Sequence, residues 1–345
     1  MLFRPTPLRI LSVALAMLSV AGCTPGSRED GAARIVRDER LKMGTRFEIQ
    51  VVTGDPSAGR AAIEAAYQEI DRVEELLSEW RETSEISEVN RRGGQGAVAV
   101  GPELFSVVER AAGISEITDG AFDVTFAACG GAWSVRKQRI PTDAEIDACL
   151  VHVGFRRLEL DPAASTIHLP TEAMRIGIAG IGKGFGVDRA AEVLEAHGVR
   201  DYIVDGGGDI RVAGRNVDRP WVVGIADPRR EGQLHATLEV GRGAIVTSGD
   251  YQRYFVKDGV RYHHILDPTT GRPARRSVAV TVVAATATDA DALATGLFVL
   301  GPERGIEIVE SQPDVEALIF GPDLEIHRSS GFPEIRLTED SKPDS

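Results

Sequence analysis

The sequence predicts an α+β fold, with antiparallel strands and packed helices, and three observations predict it. Between Ser57 and Trp80 the apolar positions Ile63, Ala66, Tyr67, Ile70, Val73, Leu76, Leu77 and Trp80 recur at three and four, leaving charged residues on the other face. From Tyr202 to Ala284 the chain reads mostly as short apolar runs of strand type, bounded by glycines and turns. Within that region Asp258-Gly259 separates two alternating runs, a strong hairpin signal. There is no internal repeat and no low-complexity segment.

The elements follow in order. At the N-terminus, Arg4 and Arg9 precede an apolar run from Ile10 to Ala21, too short to span a bilayer and suited to a secretory signal over residues 1–22. Val20-Ala21-Gly22-Cys23 resembles a bacterial lipobox, in which Cys23 is lipidated and anchors the chain; an ordinary signal peptide is the alternative. Residues 23–39 are polar and predict a flexible tether, residues 40–335 the folded domain, and 336–345 a polar tail. Met43 to Val52 alternates as a half-buried strand. The helix over 57–80 follows, and Pro102 opens another that stops before Gly120. GAFDVTFA, from Gly120, reads as strand-like, and Leu158 and Leu160 face Ile167 and Leu169 across a hairpin. After a glycine-rich stretch, VDRAAEVLEAHG predicts a helix stopped by Gly198. The strand-rich region comes next, then a helix from about Asp289 to Leu300, a short one after Pro302, and two closing strands, VEALIF and LEIHR.

Lys and Arg number 39 against Asp and Glu 52, a formal net charge of −13. An acidic chain without a basic stripe argues against nucleic acid as partner. It leaves room for a phosphate-bearing small molecule whose charge a divalent cation offsets. Cys129 and Cys149 lack metal-type spacing and read as two buried or free thiols, with pairing open in an oxidising compartment.

Several stretches could carry chemistry. IGIAGIGKGFGVD, from Ile176, puts five glycines and Lys183 into thirteen residues. Gly177, Gly182 and Lys183 have P-loop spacing, but Gly184 stands where a Ser or Thr should follow, and no dinucleotide fingerprint threads through the stretch. In TDADALATGLFVLG, Asp291 and Thr295 are four apart on one helix face, where a carboxylate and a hydroxyl suit a magnesium ion; Asp at a helix start and Thr bonded to its own helix is the plainer alternative. His264, in HHILDPTTGRP, could act as a general base or be a packed histidine. Ser248-Gly249 could receive a ring edge or a phosphate, or be only a turn, and DGGGD from Asp205 is equally open.

Together these pieces resemble the ApbE-type flavin transferases, FAD:protein FMN transferases. The carriers are MGTRF, LSEWRETSEIS, TDGAFDVT, IAGIGKGFGVDRA, VDGGGDIRVAG, TSGDYQRYF, HHILDPTTG and DADALATGLFVLG, in the family's order from Met43 to about Ser311. The resemblance implies an ApbE-like, T-fold-like architecture and a Mg2+-dependent reaction in which the FMN half of FAD moves onto a Thr or Ser hydroxyl of another protein, releasing AMP. Carried over by motif, the metal ligands are Asp291, Thr295 and the Gly180 carbonyl. Met43, Trp80, Ala121, Phe122, Asp123, Lys183, Ser248, Gly249 and Ile265 match flavin-nucleotide contacts, and His264 deprotonates the acceptor hydroxyl or orients the phosphate. The implied acceptor is a flavoprotein subunit of a membrane redox system, met on the periplasmic side of the cell envelope by an enzyme on a lipid anchor. One departure stands out: many members have Asp-Leu where this chain has Gly177-Ile178, so a carboxylate expected near the nucleotide is missing. FAD hydrolysis to FMN and AMP, and FAD binding without turnover, are the alternative activities.

Overall fold

A computed structural model describes residues 32–338. Its centre is an open eight-stranded antiparallel sheet in the order Arg34–Lys42, Thr45–Thr53, Tyr202–Gly206, Asp209–Ala213, Arg242–Gly249, Ala279–Ala284, Glu316–Phe320, Ile326–Arg328. Helices α1 (Pro56–Leu77), α2 (Glu85–Arg91), α3 (Pro102–Ile117), α4 (Asp143–Leu150), α5 (Gly182–Ala196), α6 (Ala287–Leu300) and α7 (Pro302–Glu310) complete it, with α1, α5 and α6 packed on one another and on the sheet. A four-stranded sheet, Ile335–Leu337, Leu234–Val240, Arg219–Ala226 and Arg215–Asn216, covers the other face. Two hydrophobic cores result. Phe47, Ile49, Ile70, Leu194 and Phe298 fill the helical side, and Val212, Trp221, Leu238, Ile245 and Leu318 the space between the sheets.

The α+β prediction agrees with this architecture, and the boundaries need correction. Residues 34–39 are not tether: Arg34–Lys42 pairs in full register with Thr45–Thr53. Its alternating charges mark an edge strand, where one face and one flank meet water. Arg336 and Leu337, assigned to the tail, pair with Thr237 and Ala236. GAFDVTFA is not a strand. Val124–Cys129 forms a 3-10 helix because the Asp123 carboxylate takes the Thr125 N–H at 2.7 Å and caps the turn. Cys23 and residues 1–31 lie outside the described residues, as do 339–345.

Cys129 and Cys149 are not free thiols but a disulfide, with Cα atoms 5.1 Å apart. It ties the 3-10 turn to the end of α4. With a sequence separation of 20 between the cysteines, opening it by reduction or by Cys129→Ser/Cys149→Ser should cost about 3 kcal/mol. Thermal unfolding with and without reductant checks this; an unchanged midpoint would contradict it.

Candidate active site

The glycine-rich stretch builds the site. Residues 178–181 make a tight turn, with the Gly182 N–H donating to Ile178 O at 2.7 Å, and α5 starts at Gly182 rather than after the glycines. The glycines are helical because neighbours press on them. A Cβ at Gly184 would lie 2.2 Å from Ala287 O on α6, and one at Gly186 2.8 Å from Met43 Sδ. Only bare backbone lets α5 and α6 cross this closely.

That crossing brings Asp291 to the start of α5. Asp291 is 5 % exposed, and its Oδ2 accepts the Gly184 N–H at 3.1 Å. The α6 start is locked by Asp188 of α5, whose carboxylate accepts from the N–H groups of Ala287 and Thr288 at 2.9 and 2.8 Å and from the Thr288 hydroxyl at 2.6 Å. One turn on, Thr295 faces Gly180: an added Cβ there would sit 3.5 Å from Thr295 Oγ1 and 3.1 Å from Phe122. Among the described residues the Thr295 hydroxyl makes no bond back to its helix, unlike Thr118, which donates to Ile114 O at 2.8 Å.

Lys183 pairs with Asp209, at the end of the turn between two sheet strands. Burial alone would lower the Lys183 ammonium, but the negative charges of Asp209, Asp291 and Asp205 outweigh it and raise it. Burial, and then the nearby Asp291 charge, push the Asp209 carboxyl well above its ordinary range, with Lys183 opposing. Burial likewise raises Asp205, whose Oδ1 accepts the Gly208 N–H at 2.8 Å. Asp209 Oδ2 is buried with no hydrogen-bond partner. A buried carboxylate excess with an orphaned oxygen asks for a cation. Asp291, the unbonded Thr295 hydroxyl and Gly180 are an oxygen donor set suited to a hard ion such as magnesium. Among the described residues no group of three or more His, Cys, Asp or Glu forms a metal cage, so a cation here would need the hydroxyl and the carbonyl.

The other expected residues come from several elements. Met43 adopts a left-handed φ of 48° in the turn after the edge strand, and Glu74 accepts its N–H at 2.9 Å. Ala121 and Phe122 are buried, Phe122 against Gly180 and Gly296. Asp123 directs its carboxylate into the protein, to Thr125 and to the Phe155 N–H at 3.0 Å, which makes it a scaffold for this wall. Trp80 is 93 % exposed just past α1. Ser248 and Gly249 end a central strand, and the next residue, Asp250, binds Arg229 and Arg261 at 2.7 and 3.0 Å. Arg261 belongs to the Tyr254–Lys257/Val260–His263 hairpin that leads to His264. Ile265 is buried, its carbonyl accepting the Ala274 N–H at 3.0 Å. The His264 side chain is exposed to solvent, with Nδ1 3.3 Å from Arg253 O. Desolvation there, with the positive charges of Arg253, His263 and Lys183, pushes it down to about 4.

Sequence reasoning missed Glu79. Its carboxylate fills the place of the missing side chain at Gly177: an added Cβ would meet Glu79 Oε2 at 2.9 Å, and Glu79 Oε1 accepts the Ile178 N–H at 2.9 Å. Burial raises this carboxyl. No spacing rule links positions 79 and 177, so only the fold reveals it. Asp209 is half visible in the sequence, as the last residue of DGGGD.

A three-layered α+β protein that gathers lysine, carboxylates, a hydroxyl and bare backbone at two helix starts is built to hold a polyanionic ligand with a cation. The sequence model of the ApbE family matches residues 43–319, and the chain belongs to that family. It is 36 % identical over 311 residues to an FAD:protein FMN transferase of Vibrio cholerae, covering 87 % of this chain and 90 % of that protein. It is 34 % identical over 323 residues to one of Treponema pallidum, covering 88 % and 89 %. Among solved structures, the ApbE protein of Thermotoga maritima superposes with a TM-score of 0.79 at 33 % identity, over 87 % of this chain and 98 % of that one. The flavin transferase ApbE from Vibrio cholerae gives 0.78 at the same identity and the same coverage.

Proposed function

We propose that this chain is an FAD:protein FMN transferase: an acceptor Thr or Ser hydroxyl attacks the FMN phosphorus of FAD, the bond to the AMP oxygen breaks, and AMP leaves. The observation that carries the reading is the meeting of Lys183, Asp209, Asp291, Thr295 and Gly180 where α5 and α6 start, in a chain of the ApbE family. Magnesium held by Asp291, Thr295 and the Gly180 carbonyl would supply Lewis-acid polarisation of the pyrophosphate. Lys183 sets a fixed positive charge beside the phosphates, and Asp209 holds it there. The bare backbone of Gly180, Gly182 and Gly184 lets the pyrophosphate approach the N–H groups at the α5 start. Met43, Trp80, Ala121, Phe122, Ser248, Gly249 and Ile265 wall the flavin nucleotide, Trp80 offering an open ring face for stacking. Asp123 supports that wall from behind, and Glu79 supplies the carboxylate that Gly177 lacks.

His264 receives the acceptor proton. A neutral imidazole at pH 7 supports the base role over that of a charged phosphate clamp. A base depressed to about 4 works above that value and is lost as pH falls through it. The acid limb of kcat/KM should therefore lie near pH 4, and should vanish in His264→Ala with a large drop in rate. A limb near 6.5 that survives the substitution would remove His264 from proton transfer.

Export to the periplasm with lipidation at Cys23 completes the proposal, with a membrane redox flavoprotein as acceptor. The Cys129–Cys149 disulfide supports an oxidising compartment. Among the described residues no helix is long and apolar enough to cross a membrane. EDTA followed by magnesium repletion tests the cofactor assignment: AMP release should stop and return, and turnover unaffected by chelation would refute it.

A further inference from the structure

The hairpin that leads to His264, Tyr254–Lys257 paired with Val260–His263, joins no other strand among the described residues. Three of the eleven large apolar side chains exposed among those residues fall on it: Tyr254 at 41 %, Val256 at 58 % and Val260 at 39 %. Pairing sorts them onto two faces, because partners across an antiparallel ladder point the same way and neighbours along a strand alternate. Tyr254, Val256 and Arg261 share the outer face, where the Arg261 guanidinium lies 4.2 Å from the Tyr254 ring and 3.0 Å from the Asp250 carboxylate. Phe255, Lys257, Val260 and Tyr262 share the inner face, with Phe255 stacked on Tyr262. The tip is therefore apolar on both sides. Arg253 and Lys257 flank it, exposed and, among the described residues, without a carboxylate within ion-pair distance.

The inner face continues into a cavity of about 370 Å³ walled by Trp133, Tyr262, Arg272, Arg275 and Arg276. Trp133 is fixed by its indole N–H on Gly271 O at 2.7 Å, with its ring 6.1 Å from Tyr262. Arg272 already holds a carboxylate, that of Asp143. Arg275 and Arg276 are exposed and, among the described residues, have no carboxylate within ion-pair distance. The acidic wall residue, Asp267, accepts the Thr269 N–H at 2.8 Å within its own turn. In a chain of net charge −13 this is a local excess of positive charge, set beside aromatic rings and an apolar tip.

We propose that this face docks on an anionic phospholipid bilayer, with Val256 and Val260 at the level of the headgroups and a lipid phosphate held by Arg275 and Arg276. Two observations favour a bilayer over a protein partner. A protein surface packs against one face of a hairpin, whereas lipid surrounds a tip, and here both faces of the tip are apolar. The flanking cations, Arg253 and Lys257, have long apolar stems that can lie along the acyl boundary while their charges stay among the phosphates. A guanidinium fork matches a phosphate in both geometry and charge. Asp258, in the turn, holds the tip at headgroup depth, since a carboxylate is costly in the hydrocarbon. The rest of this acidic chain is repelled by such a bilayer, so the contact selects one orientation. Its setting rests on Cys23 as the lipid anchor proposed above: a tether keeps the face at high effective concentration near the membrane, and a weak surface affinity then suffices. His264 follows the hairpin directly, so docking fixes the height of the reaction site above the bilayer.

The test uses the chain from Ala33 onward, which keeps both hydrophobic cores and lacks Cys23, so that no anchor contributes. Cosedimentation is measured without FAD or acceptor, at about 50 mM salt, with vesicles of phosphatidylcholine alone and with about 30 % phosphatidylglycerol. Partitioning should be about tenfold stronger with phosphatidylglycerol and should weaken as salt rises. Arg275→Glu/Arg276→Glu should lower it about tenfold. Val256→Ser/Val260→Ser should lower it by about threefold, and both variants should retain FAD affinity and the unfolding midpoint. Arg60→Glu/Arg200→Glu makes the same charge change at the far end of the central sheet, where Gly59 and Asp201 meet Thr53 and Val52; it should change partitioning by less than about twofold. Binding indifferent to phosphatidylglycerol would overturn the proposal, as would equal losses in the two charge reversals or no loss in the valine pair. Binding of an acidic peptide with none to vesicles would reassign the face to a protein partner. Vesicle binding by a chain that transfers no FMN would count against the transferase reading and leave the docking face standing, and transfer without vesicle binding would do the reverse.

Discussion

Asp291→Ala is expected to lower FMN transfer by about three orders of magnitude, roughly 4 kcal/mol of transition-state stabilisation, at an almost unchanged unfolding midpoint. The two halves of that expectation have different causes. Activity falls because Asp291 is the only carboxylate in the proposed cation donor set, and an ammonium such as Lys183 cannot supply the Lewis-acid charge that a divalent ion held there would. Stability holds because two effects offset each other. The Gly184 N–H loses its acceptor at 3.1 Å, at a cost of about 1 kcal/mol. Removing one of two neighbouring buried carboxylates relieves repulsion. Asp209, raised by burial and then by Asp291, should fall back toward its ordinary range. A raised carboxyl favours the folded state at low pH and loses that contribution as pH rises through the folded value, so the variant should gain most in relative stability toward neutral and alkaline pH. Steady-state rates and thermal unfolding between pH 5 and 8 read both halves. Full activity in saturating magnesium would remove Asp291 from the mechanism.

Gly184→Ala should be far more damaging than a helix Gly→Ala change usually is. In an open helix the substitution stabilises by about 1 kcal/mol, and Gly113→Ala on α3, where an added Cβ meets nothing within 4 Å, should do so. At Gly184 the new Cβ would lie 2.2 Å from the backbone oxygen and 2.6 Å from the carbonyl carbon of Ala287. A helix backbone cannot step aside as a flexible side chain can, so α5 and α6 must separate, at a cost of about 3 kcal/mol. That separation also draws Lys183 away from Asp291, and transfer should fall at least a hundredfold, since small misplacements of this kind are costly. Opposite signs for the two alanine substitutions would locate the effect in the helix crossing. Two similar stabilisations would mean the crossing is looser than described.

The contrast between these glycines shows where the sequence is legible. Periodicity in α1, the proline opening α3 and the Asp258-Gly259 turn are local signals, and the structure has those elements where the signals put them. The edge strand from Arg34 reads as tether because its alternating charges look like solvated coil until a neighbour pairs with it. GAFDVTFA has the composition of a strand, and one capping carboxylate, Asp123, decides otherwise. The glycines of α5 resemble a loop because helix propensity argues against them; what makes them helical is contact with Ala287 and Met43, which local sequence does not record. At the site, the spacing of Asp291 and Thr295 suffices to place both on one helix face. The carboxylate of Glu79 beside Gly177, the Lys183–Asp209 pair and the Cys129–Cys149 disulfide depend on chain distant in sequence and need the fold.

Transfer of FMN to a protein hydroxyl is addressed most directly by following both products of one reaction. The chain from Ala33 onward, which keeps the edge strand, is mixed with FAD, magnesium and an acceptor flavoprotein domain, and acceptor mass and AMP are followed together. The expected result is an acceptor mass gain equal to an FMN phosphoester, matched mole for mole by AMP and lost in Asp291→Ala. AMP with free FMN and an unmodified acceptor Thr or Ser, across several acceptor domains, would contradict the transferase reading and leave a hydrolase.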